Sequence, residues 1–339
     1  MINHMRHSIL IFFVCVSFCL GLNAQETYSV LFWNTENLFD ISDDPNKDDD
    51  SFTPAGDYHW TYRRYHSKLD AMARVIVAAD EEWAPILVGL CEVENDSVLT
   101  DLTSHSTLRP IGYRYVMTDS PDKRGIDVAL LYRKNYFRLI GSESIHVSLL
   151  PYSRSTTRDI LHVTGVVENM DTLDIYVCHW PSRIGGIQET EPLRMRAAAT
   201  LRKSVDSVFM TRLKPYVIIM GDLNEGPNDE AVRKGLRAHR LHEGIHLGDR
   251  ELVTLMEGVE QGSYKYQGLW DSYDQFVVSA SLMNELGCTN VAGIEVFAPS
   301  FLLEDDDSYG GVKPFRTYNG RRYMGGYSDH LPILLRLSF

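Results

Sequence analysis

The sequence has few cysteines, too few to build a domain stapled by disulfides. It contains five in 339 residues, and two of these fall within the first 24 residues. Cys91, Cys178 and Cys288 remain, an odd and sparse set that does not make a disulfide framework. Cys91 and Cys178 each lie in an apolar run, so we expect both to be buried thiols that pack as small hydrophobic side chains.

The chain also lacks internal repeats and any linker rich in proline, glycine or serine. Residues 25–339 are therefore predicted to form one domain with a large core. Basic residues are scarce, since 33 lysines and arginines stand against 46 acidic residues, for a net charge of −13. A field of this sign repels nucleic-acid backbones unless a local basic patch or a bound cation reverses it, so tight, non-specific nucleic-acid binding is not expected.

One long apolar stretch occurs, and it lies at the N-terminus. Arg6 precedes an unbroken apolar run over residues 9–16 that continues towards Leu22, with no acidic residue before Glu26. At about 15 residues the stretch is shorter than the ~20 that are needed to span a bilayer. With the small Ala24 at its end, it predicts a signal peptide over residues 1–24 and export to the periplasm or the extracellular space; an uncleaved anchor is the alternative.

Short apolar runs flanked by polar residues recur along the rest of the chain. They predict strands over residues 29–33, 85–91, 127–132, 173–178, 216–220, 275–279 and 331–337. Apolar residues at helical spacing predict helices over residues 62–79 and 193–210. Strands in runs as well as in alternation with helices indicate an α+β (α/β) fold, with two sheets packed face to face and helices outside.

The polar residues beside these strands form a chemically coherent set. They are Asn34, Glu36, Glu92, His179, Asp222, Asn224, Asp274, Asp329 and His330. Carboxylate and amide oxygens are hard ligands that suit Mg²⁺ or Mn²⁺, and histidines beside them can activate water and stabilise charge on phosphorus. Asn34 and Glu36 are two residues apart, so both should project from one face of a strand. Asp222 and Asn224 share this spacing, and Gly221 is expected to let the backbone approach a ligand closely.

Six segments that contain these residues occur in a fixed order along the chain. They are residues 32–38 (FWNTENL), 89–95 (GLCEVEN), 178–183 (CHWPSR), 221–224 (GDLN), 274–279 (DQFVVS) and 328–333 (SDHLPI). Together they resemble the endonuclease/exonuclease/phosphatase superfamily, which includes DNase I, abasic-site endonucleases, neutral sphingomyelinases and inositol-polyphosphate 5-phosphatases. The resemblance covers nearly all of residues 29–337. It implies a four-layer sandwich of two packed β-sheets flanked by helices, with the site at the sheet ends.

The resemblance also implies a divalent-metal cofactor, Mg²⁺ or Mn²⁺. Glu92 would be the principal metal ligand, with Asn34, Asp329 and, less firmly, Glu36 beside it. A phosphate of the substrate would complete the coordination shell, because magnesium in proteins keeps several positions for water and substrate oxygens.

The remaining polar residues take catalytic roles in the same resemblance. Asp222 would orient or deprotonate the attacking water, and Asn224 would hold that water or a phosphate oxygen. His330 would donate to a phosphoryl oxygen, with Asp274 fixing its tautomer. His179 would bind phosphate or assist the leaving group.

His179 also needs an acidic partner to fix the orientation of its ring. Asp127, which follows an Arg-Gly-Ile sequence at residues 124–126, is our candidate for it.

Two arginines are candidates for contact with the substrate phosphate. Arg183 follows the histidine segment, and Arg194 lies near the start of the predicted helix that comes next. The planar guanidinium group matches phosphate oxygens in a two-pronged geometry. The alternative is that both are surface charges paired with Glu189 or Glu191.

Three other segments each have two interpretations. Tyr264, Tyr266 and Trp270 could form a stacking wall for a substrate ring, or pack beneath a loop. The acidic segment at residues 40–60 is predicted to be a solvated loop; it lacks the spacing of a calcium-binding loop, although calcium binding stays open. Residues 242–246 (HEGIH) match the zinc-protease signature, but a glycine inside the motif and the lack of a third ligand favour a chance match.

We therefore expect an exported, metal-dependent phosphoesterase that acts on phosphodiester bonds and is endonuclease-like and monomeric. The alternative is a phosphatase or sphingomyelinase-like hydrolase of a small or lipid phosphoester, which the acidic composition favours. Two alternatives outside the phosphoesterases are a non-catalytic binding protein on the same scaffold and a zinc protease; the sequence favours neither.

Overall fold

The computed structural model describes residues 27–80, 82–240, 247–284 and 289–338. The predicted signal peptide, Cys288 and the histidine motif at residues 242–246 lie outside the described residues, so the interpretations given for them stay predictions. Within the described part of the chain, no helix combines the length and the apolar character that crossing a membrane requires.

The described residues form three α-helices and nineteen β-strands, joined by loops and short turns of 3₁₀- and π-helix. The helices are α1 (Tyr62–Ala78), α2 (Asp96–Thr100) and α3 (Ile187–Thr211). The strands are β1 (Thr27–Leu38), β2 (Leu87–Val93), β3 (Tyr113–Met117), β4 (Asp127–Arg133), β5 (Phe137–Ile145), β6 (Ile160–Val167), β7 (Thr172–His179), β8 (Tyr216–Asp222), β9 (Ala238–Arg240), β10 (Leu252–Thr254), β11 (Tyr264–Tyr266), β12 (Leu269–Asp271), β13 (Asp274–Ser279), β14 (Asn290–Val296), β15 (Leu303–Asp305), β16 (Val312–Pro314), β17 (Tyr318–Asn319), β18 (Arg322–Tyr323) and β19 (Ile333–Ser338).

Most of these strands belong to two large mixed sheets. The first has six strands in the order β14-β19-β1-β2-β4-β3, and the second has seven in the order β5-β6-β7-β8-β13-β10-β9. The central pairs β1/β2 and β7/β8 are parallel, so their carboxyl ends lie at the same edge. This arrangement places Asn34 beside Cys91 in the first sheet, and His179 beside Asp222 in the second.

Each large sheet packs one face on the other sheet and the opposite face on a helix. Along β1, Val30 and Phe32 belong to the core between the sheets. The alternate residues Leu31 and Trp33 pack with the apolar side of α1 instead, and a third cluster joins the outer face of the second sheet to α3. This period-two pattern produces the order helix, sheet, sheet, helix. The predicted four-layer sandwich is confirmed.

The sequence located the main elements but missed some strands. The two predicted helices correspond to α1 and α3, although α3 begins earlier, at Ile187, and contains Pro192, a residue that normally marks a helix start. Each predicted strand overlaps an observed one. Strand β5 was missed because most of its residues are exposed and carry no apolar alternation. Cys91 and Cys178 are buried and unpaired, as predicted.

The strand ends that meet at the common edge are irregular. The pairing register shifts in β1 after Asn34 and in β2 after Cys91. Glu36, Asn37 and Glu92 have φ angles of 52, 59 and 60°, in the left-handed region. Such a backbone costs a non-glycine residue about 1–2 kcal/mol and redirects its side chain. Simple strand alternation therefore does not fix where these side chains point.

Candidate active site

A cleft of about 820 Å³ opens at the edge where β1, β2, β7 and β8 end. Most of the predicted site residues line it: Asn34, Glu36, Glu92, His179, Arg183, Asp222, Asn224, Asp329 and His330. Asp274 is fully buried and contacts the cleft through His330. The fold thus brings into one cleft residues that are far apart in the sequence.

Asp222 lies at the centre of a hydrogen-bonded group. Its Oδ2 accepts a hydrogen bond from Asn34 Nδ2 at 3.0 Å, and its Oδ1 accepts one from the Asn224 backbone N–H at 2.9 Å. Burial raises the pKa of Asp222 to about 6, with the charge of His330 opposing the shift and that of Asp274 assisting it. Asp222 is therefore a stronger base than an ordinary aspartate and remains largely ionised at neutral pH.

Gly221, the neighbour of Asp222, has a role in the packing of the sheet. A Cβ atom at this position would lie 2.5 Å from the Cys178 carbonyl oxygen, on the adjacent strand β7. The absence of a side chain therefore allows close packing of β7 against β8. The expectation that Gly221 lets the backbone approach a ligand closely stays a prediction.

His330 and Asp274 form a buried hydrogen-bonded pair. His330 Nδ1 lies 2.7 Å from Asp274 Oδ2, which also accepts a hydrogen bond from the Ser263 hydroxyl. Burial lowers the pKa of His330, but the charge and hydrogen bond of Asp274 outweigh it and raise the pKa to about 10. His330 is thus a cation at neutral pH, with Nε2 3.9 Å from Asp222 Oδ2. The predicted pairing of His330 with Asp274 is present in the structure.

His179 lies in the same cleft without such a partner. Its Nε2 is 3.7 Å from Asp222 Oδ2 and 3.9 Å from Glu92 Oε1. Its Nδ1 is buried and has no hydrogen-bond partner among the described residues. Burial, followed by the positive charges of Arg158 and Arg124, holds the pKa of His179 well below its usual range. His179 is therefore a neutral imidazole.

Asp127 is not the partner of His179, and that prediction is wrong. Its carboxylate accepts hydrogen bonds from the Thr118 hydroxyl and the Ser120 backbone N–H. These bonds close the turn between β3 and β4, so Asp127 is a structural residue of that turn. The sequence pattern, an acid two residues after Gly125, could not distinguish a partner of His179 from a residue that closes a turn.

The oxygen donors around Glu92 fit a hard divalent cation. Glu92 Oε2 accepts a hydrogen bond from the Asn37 backbone N–H at 2.9 Å, whereas no described hydrogen bond reaches Oε1. Asn34 and Asp329 line the same cleft and add an amide and a carboxylate oxygen. Hard, mostly oxygen ligands are those that Mg²⁺ and Mn²⁺ take.

A second group of possible ligand atoms comes from Asp222, Asp274 and His330, which lie within 4.8 Å of one another. The hydrogen bond between His330 and Asp274 already uses one ligand atom of each. We therefore interpret this group as an acid–base pair beside Asp222, and Glu92 stays the predicted principal metal ligand.

Glu36 differs from the metal-ligand role that was expected. Its Oε2 accepts a hydrogen bond from the Thr317 backbone N–H, and its Oε1 accepts from the Tyr318 N–H at 3.4 Å. Arg316 Nε lies 3.3 Å from the same Oε1. With both oxygens occupied, Glu36 anchors the loop before β17 rather than offering a free ligand.

Arg316 is a cleft residue that the sequence did not reveal. It bridges Glu36 and Asp329, with its guanidinium nitrogen 2.9 Å from Asp329 Oδ2, and it lines the cleft. Nothing near Arg316 in the sequence distinguishes it from the other arginines. The one indirect signal in the sequence is that Arg316 lies shortly before Asp329 and His330 along the chain.

The two candidate phosphate-binding arginines have different environments. Arg194 has no exposed surface, and its guanidinium binds Glu225, Thr190 and two backbone carbonyls. Contact with substrate is therefore excluded, and the prediction for Arg194 is wrong. Arg183 does line the cleft, but it pairs with Glu225 and Asp229 and stacks over a tyrosine ring. Neither arginine pairs with Glu189 or Glu191 in the described ion pairs.

Aromatic side chains form two walls of the cleft. One wall contains Tyr264, Tyr266 and Tyr273, with the Tyr264 ring 4.7 Å from the His330 ring and 5.6 Å from the Tyr273 ring. The other contains Phe52, Tyr58 and Tyr318. Trp270 packs beneath Lys265 and is not among the residues that line the cleft, so it is part of the packing rather than of the wall.

Comparisons with known proteins bear on the family and the fold of the chain. A profile of the Endonuclease/Exonuclease/phosphatase family matches residues 29–338. No curated protein sequence matches the chain. The mannosyl-6-phosphatase of Bacteroides thetaiotaomicron has a similar structure at 14% identity and a TM-score of 0.57, covering 92% of this chain and 100% of that one.

Two eukaryotic structures are similar to the same extent. The human Nocturnin catalytic domain with a bound sulfate anion has 16% identity and a TM-score of 0.54, covering 92% of this chain and 94% of that one. TDP2 of D. rerio complexed with a single-strand DNA product has 15% identity and a TM-score of 0.54, covering 92% and 99%. At these identities the likeness shows the fold alone.

The family match covers more than half of the chain, so the chain belongs to the endonuclease/exonuclease/phosphatase family. Members of this family are metal-dependent phosphoester hydrolases, and the prediction of a hydrolase of this class is confirmed.

Proposed function

We propose that this member of the endonuclease/exonuclease/phosphatase family cleaves phosphodiester bonds by in-line attack of a water molecule activated at Asp222. The supporting observation is the convergence of Asp222 Oδ2 with the Nε2 atoms of His179 and His330, at 3.7 and 3.9 Å. One base, one neutral imidazole and one imidazolium then surround the position where a phosphate would lie.

Each group has a separate task in the reaction. Asp222, with a pKa of about 6, accepts the proton of the attacking water, and Asn224 orients that water or a phosphate oxygen. His330 donates a hydrogen bond from Nε2 to a phosphoryl oxygen, because Asp274 keeps it charged. His179, as a neutral imidazole, contacts the phosphate on the side of the leaving group. The bond from phosphorus to that group breaks as the water attacks, and the departing oxygen takes a proton from solvent water.

Glu92, Asn34 and Asp329 would hold the cation. When bound, Mg²⁺ or Mn²⁺ supplies Lewis-acid polarisation of the phosphoryl group. Glu36, although adjacent, acts through the loop that carries Arg316. Besides the charged His330, the arginines that line the cleft are Arg124, Arg183 and Arg316.

A second candidate is hydrolysis of a small or lipid phosphoester. It is favoured by the charge balance, because each of the three cleft arginines lies within 3.7 Å of a carboxylate and the whole chain carries −13. A polynucleotide needs several unpaired cations along its backbone. The salt dependence of kcat/KM distinguishes the two substrates. Between about 50 and 200 mM salt, kcat/KM for a polynucleotide should fall steeply, whereas kcat/KM for a small ester should fall only slightly.

Export and a monomeric state belong to the same proposal. The charged, apolar and small-residue segments of residues 1–24 support a cleaved signal peptide. Mass spectrometry of the mature N-terminus in the expressing cell's periplasm or medium would test cleavage after Ala24. Sedimentation equilibrium would test the monomer.

Hydrolysis of bis-p-nitrophenyl phosphate, with p-nitrophenyl phosphate as the monoester, tests the chemistry. We expect activity with Mg²⁺ or Mn²⁺, none in EDTA, and a loss of about 10²–10⁴-fold in kcat for Asp222→Asn with unchanged circular dichroism. Glu92→Gln should also lose activity, by weakening the metal site. Asp206→Asn, on α3 and outside the cleft lining, is the matched control. Full activity in EDTA or in the Asp222→Asn variant would refute the mechanism.

A further inference from the structure

The acidic loop (residues 40–60) contains a buried carboxylate whose contacts are incomplete. Asp49 is 2% exposed. Its Oδ2 accepts a hydrogen bond from the Asp44 backbone N–H at 3.1 Å, but its Oδ1 is buried and has no hydrogen-bond partner among the described residues. A buried carboxylate oxygen without a donor costs free energy on the order of 1–3 kcal/mol or more, so it normally has a proton or a cation beside it.

A second carboxyl group lies beside that of Asp49. Glu94, just after β2, has its carboxyl group within hydrogen-bonding contact of the Asp49 carboxyl group. Glu94 Oε2 accepts a hydrogen bond from the Asp40 backbone N–H, and the Asp40 carboxylate accepts one from Asn95 Nδ2 at 3.1 Å. Two segments of the chain therefore bring three acids together.

No basic side chain balances this charge in the described ion pairs. Lys47, the one lysine of the acidic loop, directs its Nζ to the Ser120 and Asp122 carbonyl oxygens instead. Three carboxyl groups that crowd around a buried oxygen, with no basic partner in the described ion pairs, are the setting of a cation site. This setting is separate from the catalytic one, because neither Asp49 nor Asp40 lines the cleft.

We propose that Asp49 and Glu94, with Asp40 at the outer edge, bind a Ca²⁺ ion that ties the acidic loop to the end of β2. All of these donors are oxygens, and the ligands come from irregular backbone. Ca²⁺ accepts six to eight oxygens in flexible geometry, whereas Mg²⁺ demands a near-ideal octahedron. Water and backbone carbonyl oxygens complete its shell.

The ion orders one wall of the cleft. Asp49 directly precedes the short 3₁₀ turn at Asp50–Phe52, and Phe52 stacks on Tyr58 with ring centroids 4.5 Å apart. Both rings line the cleft. Fixing Asp49 therefore fixes the start of the turn that presents this aromatic wall, so the ion acts on substrate binding and on stability rather than on the chemical step.

The test is Ca²⁺ binding and thermal unfolding of the full chain after EDTA treatment and dialysis. In a Glu92→Gln background, which weakens the catalytic site, we expect Tb³⁺ luminescence sensitised by the nearby Tyr65 and displaced by Ca²⁺. We also expect CaCl₂ to raise Tm. Asp49→Asn, and separately Glu94→Gln, should weaken Tb³⁺ binding at least tenfold and abolish the Ca²⁺-dependent rise in Tm.

Asp48→Asn, an exposed neighbour in the same loop, is the matched control and should retain both responses. The competing explanation is a proton shared between Asp49 and Glu94. In that case the parent protein shows no Ca²⁺-dependent rise in Tm, or Asp49→Asn responds to Ca²⁺ as the parent does. Either result overturns the proposal, and neither affects hydrolysis at Asp222, so the two proposals can fail separately.

Discussion

Two histidines approach the same oxygen of Asp222 and carry opposite protonation states. His330 and His179 are both buried, with Nε2 atoms 3.9 and 3.7 Å from Asp222 Oδ2. Asp274 accepts a hydrogen bond from His330 and raises its pKa to about 10 against the effect of burial. His179 has no such partner, so burial and the charge of Arg158 hold its pKa well below its usual range.

The difference shows that burial alone does not set the charge of an active-site histidine. Burial favours the neutral form of both rings, and one carboxylate in direct contact reverses the outcome for one of them. The cleft thereby obtains a fixed cation for a phosphoryl oxygen and a neutral imidazole that can donate or accept a hydrogen bond. A pair of identical histidines would offer only one of these functions.

Among changes to the two histidines and their neighbours, removal of the charged histidine should have the largest effect. His330→Ala removes a preorganised cation, and we expect kcat/KM for a phosphodiester to fall about 10²–10³-fold. Steady-state kinetics in saturating Mg²⁺ measures this loss of kcat/KM. His162→Ala, in a ring bonded to Asp174 outside the cleft, is the matched control and should leave kcat/KM unchanged. Equal losses in the two variants would contradict the role of His330.

Removal of the partner should lower the pKa of His330. In Asp274→Asn the largest contribution that raises this pKa is gone, while the burial that lowers it and the smaller contributions of Asp222 and Asp329 remain. We expect a loss of about 10–10²-fold at pH 8, which becomes smaller as pH falls because protonation of His330 returns. The ratio of variant to wild-type kcat/KM from pH 5 to 9 measures this. A ratio that is constant across pH would show that Asp274 acts only as a scaffold.

A smaller effect is expected at the neutral histidine. Arg158→Met removes one positive charge that lowers the pKa of His179, although burial, the largest cause, persists. The pKa of His179 should rise but stay below its usual value, and kcat/KM should change less than about tenfold. NMR titration of the His179 ring measures the shift, with Arg158→Lys as the charge-conserving control. An unchanged pKa in the methionine variant would exclude Arg158 as a cause.

A third histidine, His162, forms an ion pair with Asp174 and extends the comparison to protein stability. His162 Nε2 lies 3.1 Å from Asp174 Oδ1, and Arg212 bonds the same carboxylate. The pKa of Asp174 is lowered to about 2, by hydrogen bonds from His162 and Arg212 that outweigh burial, and the pKa of His162 is raised by Asp174 in spite of burial. These contacts should contribute to folding but not to hydrolysis.

Asp174→Asn should therefore lower the free energy of unfolding by about 1–3 kcal/mol without changing kcat/KM. The aspartate contribution is present above about pH 4 and is lost as pH falls through about 2. The histidine contribution is complete below about pH 6.5 and is lost as pH rises through the raised value. Urea unfolding measures the free energy of unfolding of both proteins, and the difference between wild type and variant should be largest near pH 5. A deficit that does not vary from pH 2 to 9 would contradict this electrostatic origin.

The sequence predicted two packed sheets and most of the cleft because polar residues flank the apolar runs. Runs that pair in parallel bring those residues to one edge, as with His179 and Asp222. It could not predict where Glu36 points, because a left-handed backbone after Asn34 interrupts the strand. Alternation fails at such a bulge.

The sequence also could not predict which side chains pair with each other in the folded protein. Glu225 binds both Arg183 and Arg194, yet nothing in its local sequence marks it as the partner of either. The same holds for Arg316, which meets Glu36 from a distant loop. A side chain's partner depends on the packing of distant segments, and charge type alone does not determine it.

The protonation of the two cleft histidines is the claim that can be tested most directly. Histidine ¹⁵N NMR of the wild-type protein at pH 7.5, assigned with His179→Gln and His330→Gln variants, reports each ring separately. We predict that His330 has two protonated nitrogens and that His179 has one. Two rings in the same protonation state, either both charged or both neutral, would contradict the account.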